Sequence, residues 1–279
     1  MLNYKHSYHA GNHADLLKHI CLIYFIKSIK FSYNSILYID THAGSGRYEL
    51  SDLDIKKNKE HVRGIERMLS SETNDPYLRF FIKTIKNINK SNKIKFYPGS
   101  PKIIEHLTDK KDELYFYELH IDEFKLLKNN FFNKSNIKII NDDGFTFTNK
   151  IKIKKQKKGI ILIDPSYEAK DDYEKVINLI TNSYHQLENK IIIIWYPIIN
   201  RMNTNEFIEV FKKTGIQNIL RIEMPIQNDN NEVDMTGSGV LVFNSHNQTD
   251  KNIRGTIKEL QKCLQFKENK KKIIVNYLR

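Results

Sequence analysis

Short apolar runs alternate with stretches of helical periodicity along this chain. The runs are "SILYID" (35–40), "LYFYE" (114–118), "IKII" (137–140), "GIILID" (159–164) and "KIIIIWY" (190–196). Most are continuous rather than alternating, the pattern of strands covered on both faces. Between them, apolar residues recur at helical spacing, as at Leu16, Ile20, Ile23 and Tyr24 behind an N-capping Asn12. This alternation predicts an α/β fold: a mostly parallel sheet with helices on both faces.

The rhythm breaks between 51 and 95. Asp75 and Pro76 read as an N-cap and first helical position, and Leu78, Phe81, Ile82, Ile85 and Ile88 then share one face. Val62, Ile65 and Leu69 have similar spacing upstream. Two helices with no strand between them predict an inserted helical subdomain over 51–95, within a domain made of 1–50 and 96–279. No internal repeat interrupts the pattern. The basic run "NKIKIKKQKK" (149–158) reads as a solvated loop or as a contact for RNA phosphates.

In a doubly wound sheet, ligands bind outside the carboxyl ends of the strands. Acids stand there repeatedly: Asp40, Glu118, Asp142 with Asp143 before Gly144, and Asp164. A rim of this kind suits a ligand bearing hydroxyls, amines or positive charge. The loop "HAGSG" lacks the full G-x-G-x-x-G spacing, and no G-K-[ST] follows it, which excludes a P-loop. A ribose and a cation without phosphates fit better, and S-adenosylmethionine has both.

Asp164-Pro165-Ser166-Tyr167 adds an acceptor site. The lone pair of an exocyclic amine such as adenine N6 is delocalised into its ring. A carboxylate and the carbonyl of Pro165 can accept both N–H bonds and hold the nitrogen toward a methyl donor, while Tyr167 stacks on an extruded base. The same four residues also make an ordinary turn.

The N-terminus concentrates Tyr4, His6, His9, His13, Lys18 and His19. His9 and His13 could share a helix face, but no cysteine or acid completes a ligand set there, and no metal is expected. Lys18 and His19 suit a carboxylate, and Tyr4 and His6 suit a base or phosphate.

Charge and composition narrow the field. Lys and Arg number 45 against 33 Asp and Glu, a formal charge of +12 that favours polyanionic partners. Usage rich in Lys, Ile and Asn, as in A/T-rich genomes, raises that figure by itself. Two distant cysteines, Cys21 and Cys263, form no disulfide framework. The longest apolar run, "IIIIWYPII" (191–199), is far below the ~20 residues that span a bilayer. A soluble cytoplasmic protein, acting as a monomer, is expected.

"YKHSYHAGNHADLLKH", "YIDTHAGSGRY", "YPGSP", "ELH", "DGF", "GIILIDPSYE", "WYP" and "MTGSG" run in the same order as in the ribosomal RNA large subunit methyltransferase J family. The chain resembles that family over essentially its whole length. The resemblance implies a class I, Rossmann-like methyltransferase fold with a seven-stranded sheet and a small helical insertion. It implies methyl transfer from S-adenosylmethionine to N6 of one adenine of 23S rRNA, conventionally adenine 2030.

Carried over by motif, Lys18, His19, His42, Ser100, Glu118, Asp143, Gly144 and Asp164 would line the cofactor site. Glu118 would take the ribose hydroxyls, Asp143-Gly144 the adenine end, and Lys18 and His19 the methionine carboxylate end. Asp164 would be catalytic, with Tyr4, His6, Pro165 and Tyr167 on the substrate side. Ser166 departs from the family's proline. A DNA adenine methyltransferase, a non-catalytic RNA-binding protein with a decayed site and a nicotinamide dehydrogenase are the rival readings.

Overall fold

The computed structural model describes residues 8–51, 59–151, 153, 157–169, 171–228, 235–246, 249–265 and 272–278. Its sheet follows from the apolar runs. β1 (Leu37–Asp40), β4 (Glu113–Tyr117), β5 (Ile137–Ile140), β6 (Gly159–Ile163) and β7 (Lys190–Ile198) lie parallel, in the order β5-β4-β1-β6-β7. Chain direction across the sheet reverses between β1 and β6. That switch point opens a crevice at the carboxyl ends of these two strands. β8 (Leu220–Pro225), β9 (Gly237–Phe243) and β10 (Ile274–Tyr277) extend the sheet antiparallel, in the order β9-β8-β10 beyond β7.

The described residues therefore form an eight-stranded sheet where seven strands were expected. The additional strand, β10, pairs with β8 at the edge. An edge strand needs no continuous apolar run, and "IVNY" is too short and too polar to announce itself.

Alternation along the strands divides the core. Ile191 and Ile193 face one layer, where α1 (His13–Ser32) packs with Leu16, Leu17, Ile20 and Ile23. Ile192 and Ile194 face the other layer, built from α7 (Asp172–Leu187) and α8 (Arg201–Lys213) through Val176, Ile180, Phe207 and Phe211. α1 is buried on nearly all sides, since its polar residues Asp15, Lys18 and His19 are also inside. Asn12 does cap it, its Oδ1 accepting from Ala14 N at 2.9 Å and Asp15 N at 3.0 Å.

Between β1 and β4 the chain first forms a ribbon, β2 (Arg47–Glu49) antiparallel to β3 (Phe96–Pro98). The helical stretch leaves after β2 and returns at β3. Within it, a π-helical turn (Val62–Glu66) runs into α2 (Arg67–Ser70), and α3 (Pro76–Asn89) follows. Asp75 caps α3, its Oδ1 accepting from Tyr77 N and Leu78 N at 2.9 Å each.

The π turn docks on the start of α1. Ile65 N donates to Gly11 O at 2.9 Å, and a Cβ on Gly64 would lie 2.0 Å from Gly11 O. Only glycine lets the two backbones meet there. Gly64→Ala should therefore lower stability by about 1–3 kcal/mol, since the obstructing atom is backbone and not a yielding side chain. Gly255→Ala is the control. It lies in α9 (Thr249–Leu264), where an added methyl would meet nothing within 4 Å, and should raise stability by roughly 1 kcal/mol. Urea unfolding of both variants measures the pair.

Candidate active site

A cavity of ≈ 1110 Å³ opens over the switch point. That is large for one small ligand; ligand pockets commonly run to ~300–1,000 Å³. Its two ends differ in chemistry. Around β1, β4 and β5 it is lined by Thr41, His42, Ser100, Glu118, Asp143 and Gly144. Around β7 and β8 it is apolar and aromatic, with Tyr167, Trp195, Pro197, Ile199 and Ile226. Asp164 and Pro165 stand where the two ends meet.

Lys18 organises this centre. Its Nζ lies 2.5 Å from Asp164 Oδ2 and 2.8 Å from Asp15 Oδ1. Asp15 Oδ2 in turn accepts from Gly11 N at 2.9 Å. Burial alone would push the Lys18 ammonium down, but the two carboxylates outweigh it and hold the group above the ordinary lysine range. The charged form of the ammonium is thus favoured, and it contacts Asp164 from the side of α1.

On the polar end, the glycine loop after β1 folds around Glu118. Glu118 Oε2 accepts from Gly44 N at 2.8 Å and Oε1 from His120 N at 2.7 Å. Burial raises its carboxyl, and these two amides oppose the rise. Gly44 sits at φ +58°, where a Cβ would fall 2.1 Å from Tyr48 Oη. Asp143 Oδ1 caps the following turn through Phe145 N at 2.9 Å. Gly144 comes so near β1 that a Cβ would lie 1.8 Å from Thr41 O. His42 rests edge-on against Phe145, and burial pushes it down to about 3, so its imidazole is neutral. His19 Nδ1 and Tyr97 Oη are 2.7 Å apart.

Asp40, at the end of β1, is fully buried. Burial pushes its carboxyl up to about 6, partly offset by the Ser100 hydroxyl and then raised again by the charge of Asp164.

The turn after β6 is held by contacts rather than by ring rigidity. Tyr167 has φ +56°, a left-handed conformation that costs a bulky residue energy. Its hydroxyl donates to Trp195 O at 2.7 Å, and its ring packs against Tyr173 and Trp195. Asp164 and Trp195 lie one residue beyond the last paired positions of β6 and β7, Ile163 and Ile194.

All the residues expected from the sequence that fall in the described segments line this one cavity: Lys18, His19, His42, Ser100, Glu118, Asp143, Gly144, Asp164, Pro165 and Tyr167. Tyr4 and His6 lie outside the described residues. His9 precedes α1 and its Nδ1 is 3.0 Å from Glu60 Oε2, so it does not share a helix face with His13. Among the described residues no cluster of His, Cys, Asp and Glu has metal-ligand geometry. Sequence reasoning passed over Asp15, Glu60, Arg63 and Trp195, which also line the cavity. For Asp15 a signal existed: an acid three residues before Lys18 on a helix faces the same side.

The strand order, with β9 reversed between β7 and β8, and the crevice at the switch point define the class I, Rossmann-like methyltransferase fold. A family model described as ribosomal RNA large subunit methyltransferase D, RlmJ, matches residues 33–274, and the chain belongs to that family. It is 37% identical over 245 residues to ribosomal RNA large subunit methyltransferase J of Haemophilus influenzae, covering 88% of this chain and 87% of the relative. The Escherichia coli protein of the same name is 37% identical over 244 residues, with the same coverage of both chains. A crystal structure of a Legionella pneumophila protein is similar at TM-score 0.87 and 29% identity, covering 96% of this chain and 98% of that one.

Two measurements check the electrostatics of the site. Lys18→Met leaves Asp15 and Asp164 without their shared cation, and should cost about 3–5 kcal/mol of stability in urea unfolding. The Asp40 carboxyl should titrate near pH 6 by carbon NMR. Ser100→Ala should move that midpoint up, because a donor to the charged form is lost. Asp164→Asn should move it down, because a neighbouring negative charge is lost.

Proposed function

We propose that this protein transfers a methyl group from S-adenosylmethionine to N6 of one adenine of 23S rRNA, with adenine 2030 as the family's target. The observation that carries the reading is the Lys18-held Asp164 beside Pro165, between a polar end and an aromatic end of one cavity.

The donor set suits the cofactor. Glu118 offers a carboxylate to ribose hydroxyls, Asp143 and Gly144 border the adenine end, and Lys18 and His19 face the methionine carboxylate end. His42 and Ser100 complete the wall. Acids on this rim favour a cation and disfavour pyrophosphate. When bound, the cofactor supplies an activated methyl on a sulfonium.

The protein's own contribution is positioning and charge. Asp164 and the Pro165 carbonyl accept the two N–H bonds of the adenine amine. This aims the nitrogen lone pair and stabilises the positive charge that develops on it. Lys18 keeps the Asp164 carboxylate in place. Tyr167 offers its ring to the base, and the resemblance adds Tyr4 and His6 to the substrate-binding residues.

Residues 51–95 are read as an inserted helical subdomain, a division supported by the way the chain leaves and returns through the β2–β3 ribbon. A cytoplasmic monomer remains the expectation, and no described helix is long and apolar enough to cross a membrane.

Labelled methyl transfer to 23S rRNA from cells lacking the gene tests the reading, with duplex DNA as the comparison substrate. Transfer to the RNA alone, at one adenine, is expected; transfer to the DNA alone overturns it. Asp164→Asn should lower turnover at least ~10²-fold while changing cofactor affinity only a few-fold. Tyr4→Ala should reduce turnover on RNA more than it reduces cofactor affinity. Ser166→Pro should leave turnover unchanged or raise it.

A further inference from the structure

Acids on the rim favour a cationic cofactor, but they repel the strand that must deliver the acceptor base. A base extruded from RNA brings a phosphate on each side of its ribose. Glu60 and Glu168 both line the cavity, and both act on His9 through their charge. Glu168 is exposed and Glu60 half-buried, so they stand where the cavity meets solvent. Phosphates passing that opening need a cation to meet them.

The lysines and arginines among the described lining residues are Lys18, Arg63, Arg67 and Lys175. Most are already engaged. Lys18 is buried and spent on Asp15 and Asp164. Lys175 Nζ lies 3.0 Å from Asp171 Oδ2 and 3.7 Å from Asp172 Oδ1. Arg67 Nη1 donates to Leu264 O at 2.6 Å, satisfying one of the last carbonyls of α9. Arg63 is exposed, and its guanidinium has no hydrogen-bond or ion-pair partner among the described residues. The acids nearest to it in sequence are taken: Glu60 by His9 and Asn12, and Glu66 by His61 at 3.7 Å.

Placement adds to availability. Arg63 and Arg67 are four residues apart across the junction of the π turn and α2, a spacing that puts side chains on one helix face. That face is turned to the cavity. The bond to Leu264 gives Arg67 a structural role, and no described contact gives Arg63 one. The turn that carries them is tied to the reaction centre by a short chain of contacts. Ile65 N donates to Gly11 O, Gly11 N donates to Asp15, and Asp15 shares Lys18 with Asp164. The distance from these guanidinium groups to Asp164 is therefore set by the fold. A guanidinium presents its N–H donors in a plane that matches two oxygens of a phosphate.

We propose that Arg63, with Arg67 beside it, is a phosphate-binding site that grips the RNA strand next to the nucleotide whose base enters the cavity. This assignment rests on the rRNA methyltransferase reading above. It gives the stretch between β2 and β3 a part in substrate binding. The contact is with the backbone, so it places the strand and reads no base.

The test is filter binding of 23S rRNA from cells lacking the gene to the full-length protein, with S-adenosylhomocysteine present and potassium chloride varied. Arg63→Gln should weaken binding by about 5–30-fold and make the slope of log affinity against log salt shallower by about 0.7–0.9, the loss of one phosphate contact. Arg63→Lys keeps the charge and loses the fork, so it should restore the slope and only part of the affinity. Lys213→Gln removes an exposed charge from α8, away from the cavity, and should change neither. Calorimetry should find S-adenosylhomocysteine affinity in Arg63→Gln within about twofold of wild type, which sets an RNA contact apart from a cofactor defect.

Arg67→Gln should make the same slope shallower and also lower stability, since it uncaps α9. If that variant fails to fold, Arg63→Gln carries the test, because Arg63 has no described side-chain contact to lose. Unchanged affinity and slope in Arg63→Gln would overturn the assignment. An equal loss in Lys213→Gln would overturn it too, since the attraction would then be that of net charge alone. A wild-type protein that binds this RNA but transfers no methyl to it from S-adenosylmethionine would instead overturn the methyltransferase reading beneath it.

Discussion

The site depends on one ammonium group kept out of water. Lys18 is only 4% exposed, and a lone buried cation would be intolerable. Asp15 on its own helix and Asp164 at the end of β6 make it tolerable, and in return it holds two acids side by side. The triad joins α1 to the sheet at the point where chain direction reverses, which is also where a ligand must enter. Stability and the proposed chemistry are therefore tied to the same three side chains.

That triad explains why α1 is built as it is. A helix buried on nearly every side ordinarily carries only apolar residues. This one carries Asp15, Lys18 and His19 inward, and each has a partner. Its start must then be set accurately, because an error at the N-cap moves Lys18. Asn12 sets it from within, and the helical stretch sets it from outside: Gly64 lies against Gly11, and Glu60 Oε2 accepts from Asn12 Nδ2 at 2.9 Å. The stretch between β2 and β3 thus touches the Lys18 triad through one helix terminus, although it lies outside the sheet.

What the sequence disclosed follows the same logic. Strands β1, β6 and β7 were legible because strands buried on both faces must be continuously apolar, and the acids ending the parallel strands were legible because nothing apolar explains them. Asp75 and Pro76 announced α3, and Asn12 announced α1. The antiparallel edge was missed. β9 is "GSGVLVF", whose glycines read as loop, yet Gly239 is there because a Cβ would lie 2.2 Å from the Tyr196 ring. That requirement exists only once β7 and β9 are paired. The Asp40–Ser100 contact was hidden for a similar reason: 60 positions separate the two residues, and the β2–β3 ribbon brings them together.

With Ser166 at its third position, the turn after β6 has no second stiff residue. A second proline would fix one backbone angle and so reduce the freedom lost on folding. Without it, the left-handed Tyr167 has to be held by what surrounds it. Three contacts do so: the hydroxyl bond to Trp195 O, the packing on Tyr173, and the packing on Trp195. The hydroxyl bond is partly buried, so its loss would leave both groups poorly satisfied. The carbonyl it uses belongs to β7, whose position is fixed by pairing with β6 and β9. The turn geometry thus rests on a tertiary constraint, the sheet, where a second proline would act locally. A local constraint acts in the unfolded chain as well, whereas this one exists only in the folded protein. The geometry of this turn is consequently as stable as the β6–β7 pairing, and no more stable than that.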